Sequence, residues 1–141
     1  MTLENPPRPE ISVVVPLFDE EDNVERLVEE LLTVLHRTGE RFEILLVDDG
    51  SVDGTWQRIV AAHHRDAAVR GLSLLRNFGH QHALLAGLEH ARGRAVITMD
   101  GDLQHPPEFI PDLLRAWRDG HSLVQTRRRD SDDTGLFKRL S

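Results

Sequence analysis

The chain has 141 residues, no cysteine and a formal net charge of −7. The length suits one compact domain with a real core; the lack of cysteine excludes disulfides and thiolate metal sites; the negative charge argues against nucleic acid as main partner, because a phosphate backbone demands a basic face. No apolar run approaches the roughly 20 residues of a membrane span, and the opening "MTLENPPRPE" lacks a signal-peptide core.

Residues 1–10 read as a polar leader that Pro6, Pro7 and Pro9 keep extended. "ISVVVPL" (11–17) is apolar and β-branched, as in a strand buried on both faces. From Asp22 the period changes: Val24, Leu27, Val28, Leu31, Leu32 and Leu35 predict a helix. Asp22 and Glu25 offer a capping box at its start, and Gly39 ends it. "FEILLV" (42–47) is a second buried strand. "DDGSVDG" (48–54) is turn chemistry, with Asp53 placed to cap a helix near 54–65.

"GLSLL" (71–75) predicts a third strand, "HQHALLAGLEHA" (80–91) a helix and "AVITM" (95–99) a fourth strand. Phe109, Ile110, Leu113, Leu114 and Trp117 mark another helix, stopped by Gly120, and "SLVQT" (122–126) a fifth strand. Residues 128–141 are a polar tail. Its end, "GLFKRLS", reads either as the start of an amphipathic helix or as an unstructured end. The alternation predicts an α/β fold, a mainly parallel sheet with helices on both faces. Ligands of such sheets bind beyond the carboxyl ends of the strands.

Polar or charged groups follow all five predicted strands: Asp19 and Glu20, Asp48 and Asp49, Arg76 and Asn77, Asp100 and Asp102, and Arg127. In "ITMDGDLQHPPE" (97–108), Asp100, Asp102 and Gln104 are spaced i, i+2, i+4, and so share a direction if the segment is extended. Two carboxylates and an amide oxygen are hard ligands suited to Mg²⁺ or Mn²⁺, whose shell water and substrate phosphates would complete. An Asp-Gly turn before a proline-led helix start explains the same residues without a metal. Asp48 and Asp49 are adjacent and point apart, so one can hold the local backbone while the other faces the cleft and accepts hydrogen bonds from the N–H edge of a nucleobase. No GxGxxG and no P-loop lysine are present, which leaves phosphate charge to a metal and to arginines, with Arg76 and Arg127 favoured. His80, His82 and His105 lie near the predicted cleft, but His80 and His82, two apart on a helix, do not share a face.

The set "VVVPLFDEEDNV", "LLVDDGSVDGT", "LLRNFGHQHALLAGLEHARG" and "ITMDGDLQHPPE" resembles the inverting glycosyltransferases of family 2 over residues 11–127, most closely the polyprenyl-phosphate branch. The resemblance implies a GT-A, Rossmann-like nucleotide-diphospho-sugar transferase fold, here truncated to its donor-binding part. It implies that Pro16, Leu17, Asp19 and Glu20 line the nucleotide pocket, that Asp49 contacts the base, and that Arg127 stands near the phosphates. Asp100, Asp102 and Gln104 would form the DxD-type site for Mg²⁺ or Mn²⁺. Asp19 stands where many relatives have asparagine. The implied partners are a UDP- or GDP-linked sugar donor and a polyprenyl-phosphate acceptor, with a homo-oligomer left open. The implied location is cytoplasmic, at a membrane face for the full-length protein. No catalytic base is assigned, since a lipid phosphate is already anionic near neutral pH. A glycan acceptor and a non-catalytic nucleotide-binding module are the alternatives.

Overall fold

The computed structural model describes residues 7–104, 106–126 and 137–140. It divides into two compact units, Met1–Pro107 and Glu108–Ser141.

The first unit alternates strand and helix: β1 (Ile11–Leu17), α1 (Glu21–Arg37), β2 (Phe42–Asp48), α2 (Thr55–Arg65), β3 (Val69–Ser73), α3 (His80–His90) and β4 (Ala95–Thr98). The four strands form one sheet in the order β3-β2-β1-β4, parallel throughout. The central strands β1 and β2 are buried almost end to end, which is why each reads as an unbroken apolar run. Side chains alternate between the faces. On one face Val14, Leu45 and Val47 pack with Ala83 of α3. Gly87 brings α3 closer still, since a Cβ there would stand 2.3 Å from Val14 Cγ1. On the other face α1 packs on α2, and α2 on β3.

At the amino ends of the strands lies a buried polar knot. Glu43 on β2, 2% exposed, accepts from the Ser12 hydroxyl (2.7 Å) and the Arg92 N–H (2.8 Å) on Oε1. Its Oε2 accepts from the guanidiniums of Arg70 (2.7 Å) and Arg92 (3.1 Å). Burial pushes the Glu43 carboxyl up, and these donors more than reverse it, so its pKa lies below the ordinary glutamate value.

Three sequence expectations change. The Asp22–Glu25 capping box is not formed: Asp22 is the second residue of α1, and no side chain of the local sequence caps the helix. The N–H groups at its head are met from beyond β2 instead, Glu20 by Thr55 Oγ1 at the start of α2 (2.9 Å) and Glu21 by Asp53 Oδ2 in the loop before it (3.3 Å). The third strand begins at Val69 rather than Gly71, because its pairing with β2 starts at Ile44; Leu74 and Leu75 lie past its end, and Leu75 is fully exposed. The fifth strand does not extend the parallel sheet.

That strand belongs to the second unit. After a 3₁₀ turn over Pro107–Phe109 come α4 (Ile110–Arg118) and Gly120 with φ +98. Strand β5 (Leu123–Thr126) then pairs antiparallel with β6 (Phe137–Leu140), Leu123 opposite Leu140. Residues 137–140 are thus strand, where the sequence left helix start and unstructured end open. Among the described residues no helix is long and apolar enough to cross a membrane.

Candidate functional site

The loops that follow β1 to β4 gather at the carboxyl end of the first unit's sheet. The first three are tied to one another by hydrogen bonds. After β1, Asp19 takes a left-handed conformation (φ +49) that short polar side chains tolerate best. Its N–H donates to Ser51 Oγ and its Oδ1 accepts from the Val52 N–H, each at 2.9 Å. Asp19 therefore clamps the first loop to the second. Glu20 accepts from Asn23 Nδ2 (2.7 Å) and sits at the head of α1.

In the second loop the two adjacent aspartates diverge as the sequence predicts, and both are 3% exposed. Asp48 Oδ1 accepts from the Ser51 N–H (3.1 Å) and holds its own turn. Asp49 Oδ1 reaches the third loop and accepts from the Phe78 N–H (2.9 Å). Gly50, at φ +70, lets the second loop touch the third: a Cβ there would lie 2.2 Å from the Arg76 carbonyl carbon. Asp53 accepts from the N–H and hydroxyl of Thr55 and from the Glu21 N–H. Burial pushes its carboxyl up, but these donors outweigh it and hold it below the ordinary aspartate value.

In the third loop the Arg76 guanidinium lies 4.6 Å over the Phe78 ring, a cation–π contact. Asn77 Oδ1 accepts from the Gly79 N–H (3.0 Å), and α3 then starts at His80. After β4 the chain turns at once. Gln104 N–H donates to Asp102 Oδ1 (3.1 Å), and Leu103 has φ +61. His80 Nε2 stands 3.5 Å from Asp100 Oδ1.

The first three loops, with the ends of β1 and α3 beside them, line a partly open cavity of about 170 Å³ walled by Pro16, Leu17, Phe18, Asp49, Asn77, Gly79 and His80. Phe18 and Asn77 also wall a wider, open groove of about 670 Å³ that reaches Asp48, Asp53, Trp56 and Arg76. Of the expected nucleotide residues, Pro16, Leu17 and Asp49 share the small cavity and Arg76 lines the groove beside it. Asp19 and Glu20 serve the loop framework rather than either wall. Arg127 and His105 lie outside the described residues. Phe18 and Gly79 are walls that the sequence reading passed over; an apolar residue inside an otherwise polar loop was the available signal for the first.

The extended geometry expected for Asp100, Asp102 and Gln104 is not present. Asp102 binds the N–H two residues on, and the left-handed Leu103 bends the chain, so the i, i+2, i+4 argument fails from Gly101 onward. Among the described residues no three His, Asp or Glu side chains form a ready-made metal cage. The donor chemistry nonetheless fits a hard cation. Asp100 is half exposed, Asp102 is exposed, and Mg²⁺ and similar ions keep waters and substrate phosphates rather than an all-protein shell.

The family model for glycosyl transferase family 2 matches residues 12–141. An uncharacterized glycosyltransferase from Synechocystis sp. is 42% identical over 132 residues, 94% of this chain and 42% of the relative. The undecaprenyl-phosphate 4-deoxy-4-formamido-L-arabinose transferase of Shewanella sediminis is 40% identical over 127 residues, covering 89% and 38%. The chain thus spans about two-fifths of the curated relatives it matches. Among solved structures, a mannosyltransferase from Pyrobaculum calidifontis in complex with GDP-Man and Mn²⁺ superposes with a TM-score of 0.68 at 24% identity, over 89% of this chain and 37% of that one. Glucosyl-3-phosphoglycerate synthase from Mycobacterium tuberculosis, in complex with Mn²⁺, UDP and glucosyl-3-phosphoglycerate, gives 0.66 at 26% identity, over 84% and 43%.

Proposed function

This chain belongs to glycosyl transferase family 2, and from that premise we propose that it is the donor-binding part of a metal-dependent inverting transferase that moves a sugar from a nucleoside diphosphate to a polyprenyl phosphate. The observation that carries this reading is the small cavity at the sheet's carboxyl end. In it a buried carboxylate, Asp49, stands among Pro16, Leu17 and Phe18, with His80 leading on to Asp100. A small cavity with apolar side chains and a buried carboxylate in its wall suits a base bearing an N–H edge. The curated relatives named as undecaprenyl-phosphate transferases support the lipid acceptor.

The acids at this sheet end would repel a diphosphate unless a cation intervened. Mg²⁺ or Mn²⁺ held by Asp100, Asp102 and Gln104 would supply that neutralisation and stabilise the departing nucleoside diphosphate. Arg76 and Arg127 add positive charge beside the phosphates. In the transfer an acceptor phosphate oxygen bonds to the anomeric carbon from the face opposite the leaving group, and the bond to the nucleoside diphosphate breaks. The acceptor oxygen is already anionic, so positioning and charge stabilisation suffice and no side chain need remove a proton. The full-length protein then works at the cytoplasmic face of a membrane, where such a lipid is presented.

The test is calorimetric titration of this chain and Asp102→Ala with UDP and with GDP, with and without Mn²⁺. One nucleotide should bind in a Mn²⁺-dependent manner, and the substitution should weaken it by about tenfold or more, as loss of a metal-ordering group does. Absence of Mn²⁺-dependent binding for both nucleotides would refute the reading.

A further inference from the structure

We infer that His80 is a positioning residue: it fixes the Asp100 carboxylate for the cation and so couples metal binding to occupation of the neighbouring nucleotide cavity. The inference rests on the donor-site reading above and gives His80 a role beside the acids rather than as a ligand itself.

The two partners come from different elements. Asp100 leads into the turn that the Asp102–Gln104 bond and the left-handed Leu103 shape. His80 is the first residue of α3, a helix anchored through the fully buried Ala83 to Val14, Leu45 and Val47 of the sheet. Its ring walls the cavity with Asp49 and Pro16, while its Nε2 stands 3.5 Å from Asp100 Oδ1. One side chain on an anchored helix thus borders both the cavity and the Asp100 carboxylate. A carboxylate that offers one oxygen to a metal is ordinarily oriented by a donor on the other, and an imidazole with its hydrogen on Nε2 is such a donor. His82 cannot take the role, because two residues along a helix turn it away from this face.

The required feature is an N–H donor at this reach rather than a charge, so glutamine should replace histidine in part and alanine should not. The experiment titrates Mn²⁺ into wild type, His80→Ala and His80→Gln at saturating UDP and, separately, GDP, reading free Mn²⁺ by electron paramagnetic resonance. Nucleotide affinity without metal and the thermal melt are recorded alongside. His80→Ala should weaken Mn²⁺ binding by about tenfold or more and His80→Gln by about threefold or less, the first being the usual loss for an outer-shell partner. The melts should coincide, since the ring is more than half exposed. Equal weakening in both variants, or none in either, overturns the role of His80 and leaves the donor site standing. A wild-type chain that binds Mn²⁺ with neither nucleotide overturns the donor site and this inference together.

Discussion

Replacing Glu43 by alanine tests whether the polar knot at the amino end of the sheet holds β1, β2, β3 and the α3–β4 loop together. Its carboxylate accepts five hydrogen bonds, from Ser12, the Arg92 N–H, two guanidinium nitrogens of Arg92 and one of Arg70. Removing it leaves the Ser12 hydroxyl hydrogen without its acceptor, though its oxygen still accepts from the Gly93 N–H, and leaves two guanidiniums without their counter-charge. Those guanidiniums keep some water, being 29% and 52% exposed, so the cost falls toward the lower end of that for breaking a buried ion pair, about 3 kcal/mol. For a chain of this size that is a fall of roughly 10 °C in melting temperature. Thermal unfolding followed by circular dichroism, for wild type, Glu43→Ala and Glu43→Gln, measures it. The pH dependence has a definite sign. The folded pKa of Glu43 is depressed, so its charged form stabilises fully above the unfolded value, about 4.3, and that contribution is lost as pH falls through the lower folded value. The gap between wild type and Glu43→Gln should be constant near neutrality and close below about pH 4. A loss under roughly 3 °C for Glu43→Ala, or a glutamine gap that persists undiminished in acid, would refute the reasoning.

Two further substitutions probe the loop framework. Gly50→Ala meets both a left-handed φ of +70 and the Arg76 backbone 2.2 Å away; it should lower stability by about 1–3 kcal/mol and widen the small cavity, measured as reduced UDP or GDP affinity together with the melt. Asp53→Ala removes the acceptor shared by Thr55 and Glu21 and should cost about 1 kcal/mol, the usual value for a lost helix cap, in a denaturant titration. Asp53 lies on the wall of the open groove, so an unchanged metal-dependent nucleotide affinity would assign it to the framework alone.

What was legible in the sequence was what neighbouring residues decide. β1 and β2 are central strands buried on both faces, so their apolar runs announce them, and the period of α1 follows from burying Val24, Leu27, Val28, Leu31 and Leu35. The divergence of Asp48 and Asp49 follows from their adjacency. What was not legible is decided across the chain. The start of β3 is set by Ile44 of its neighbour, not by the apolar content of residues 71–75. The head of α1 is capped from Asp53 and Thr55, more than thirty residues on, so a local capping box had nothing to add. The same division runs through the site. Residue types placed Asp100 and Asp102 at a strand end correctly, yet the direction of each carboxylate depends on a turn that begins at Gly101. A Cβ at Gly101 would come 2.2 Å from Leu17 Cδ2, so the turn is packed against β1 and cannot remain the extended ladder that alternation assumes. Where each of the two acids points is then set by the turn and by what stands beside it, not by their spacing. The side chain beside Asp100, His80, arrives from α3, twenty residues earlier in sequence. That is why the spacing of the acids alone does not give the geometry of this strand end.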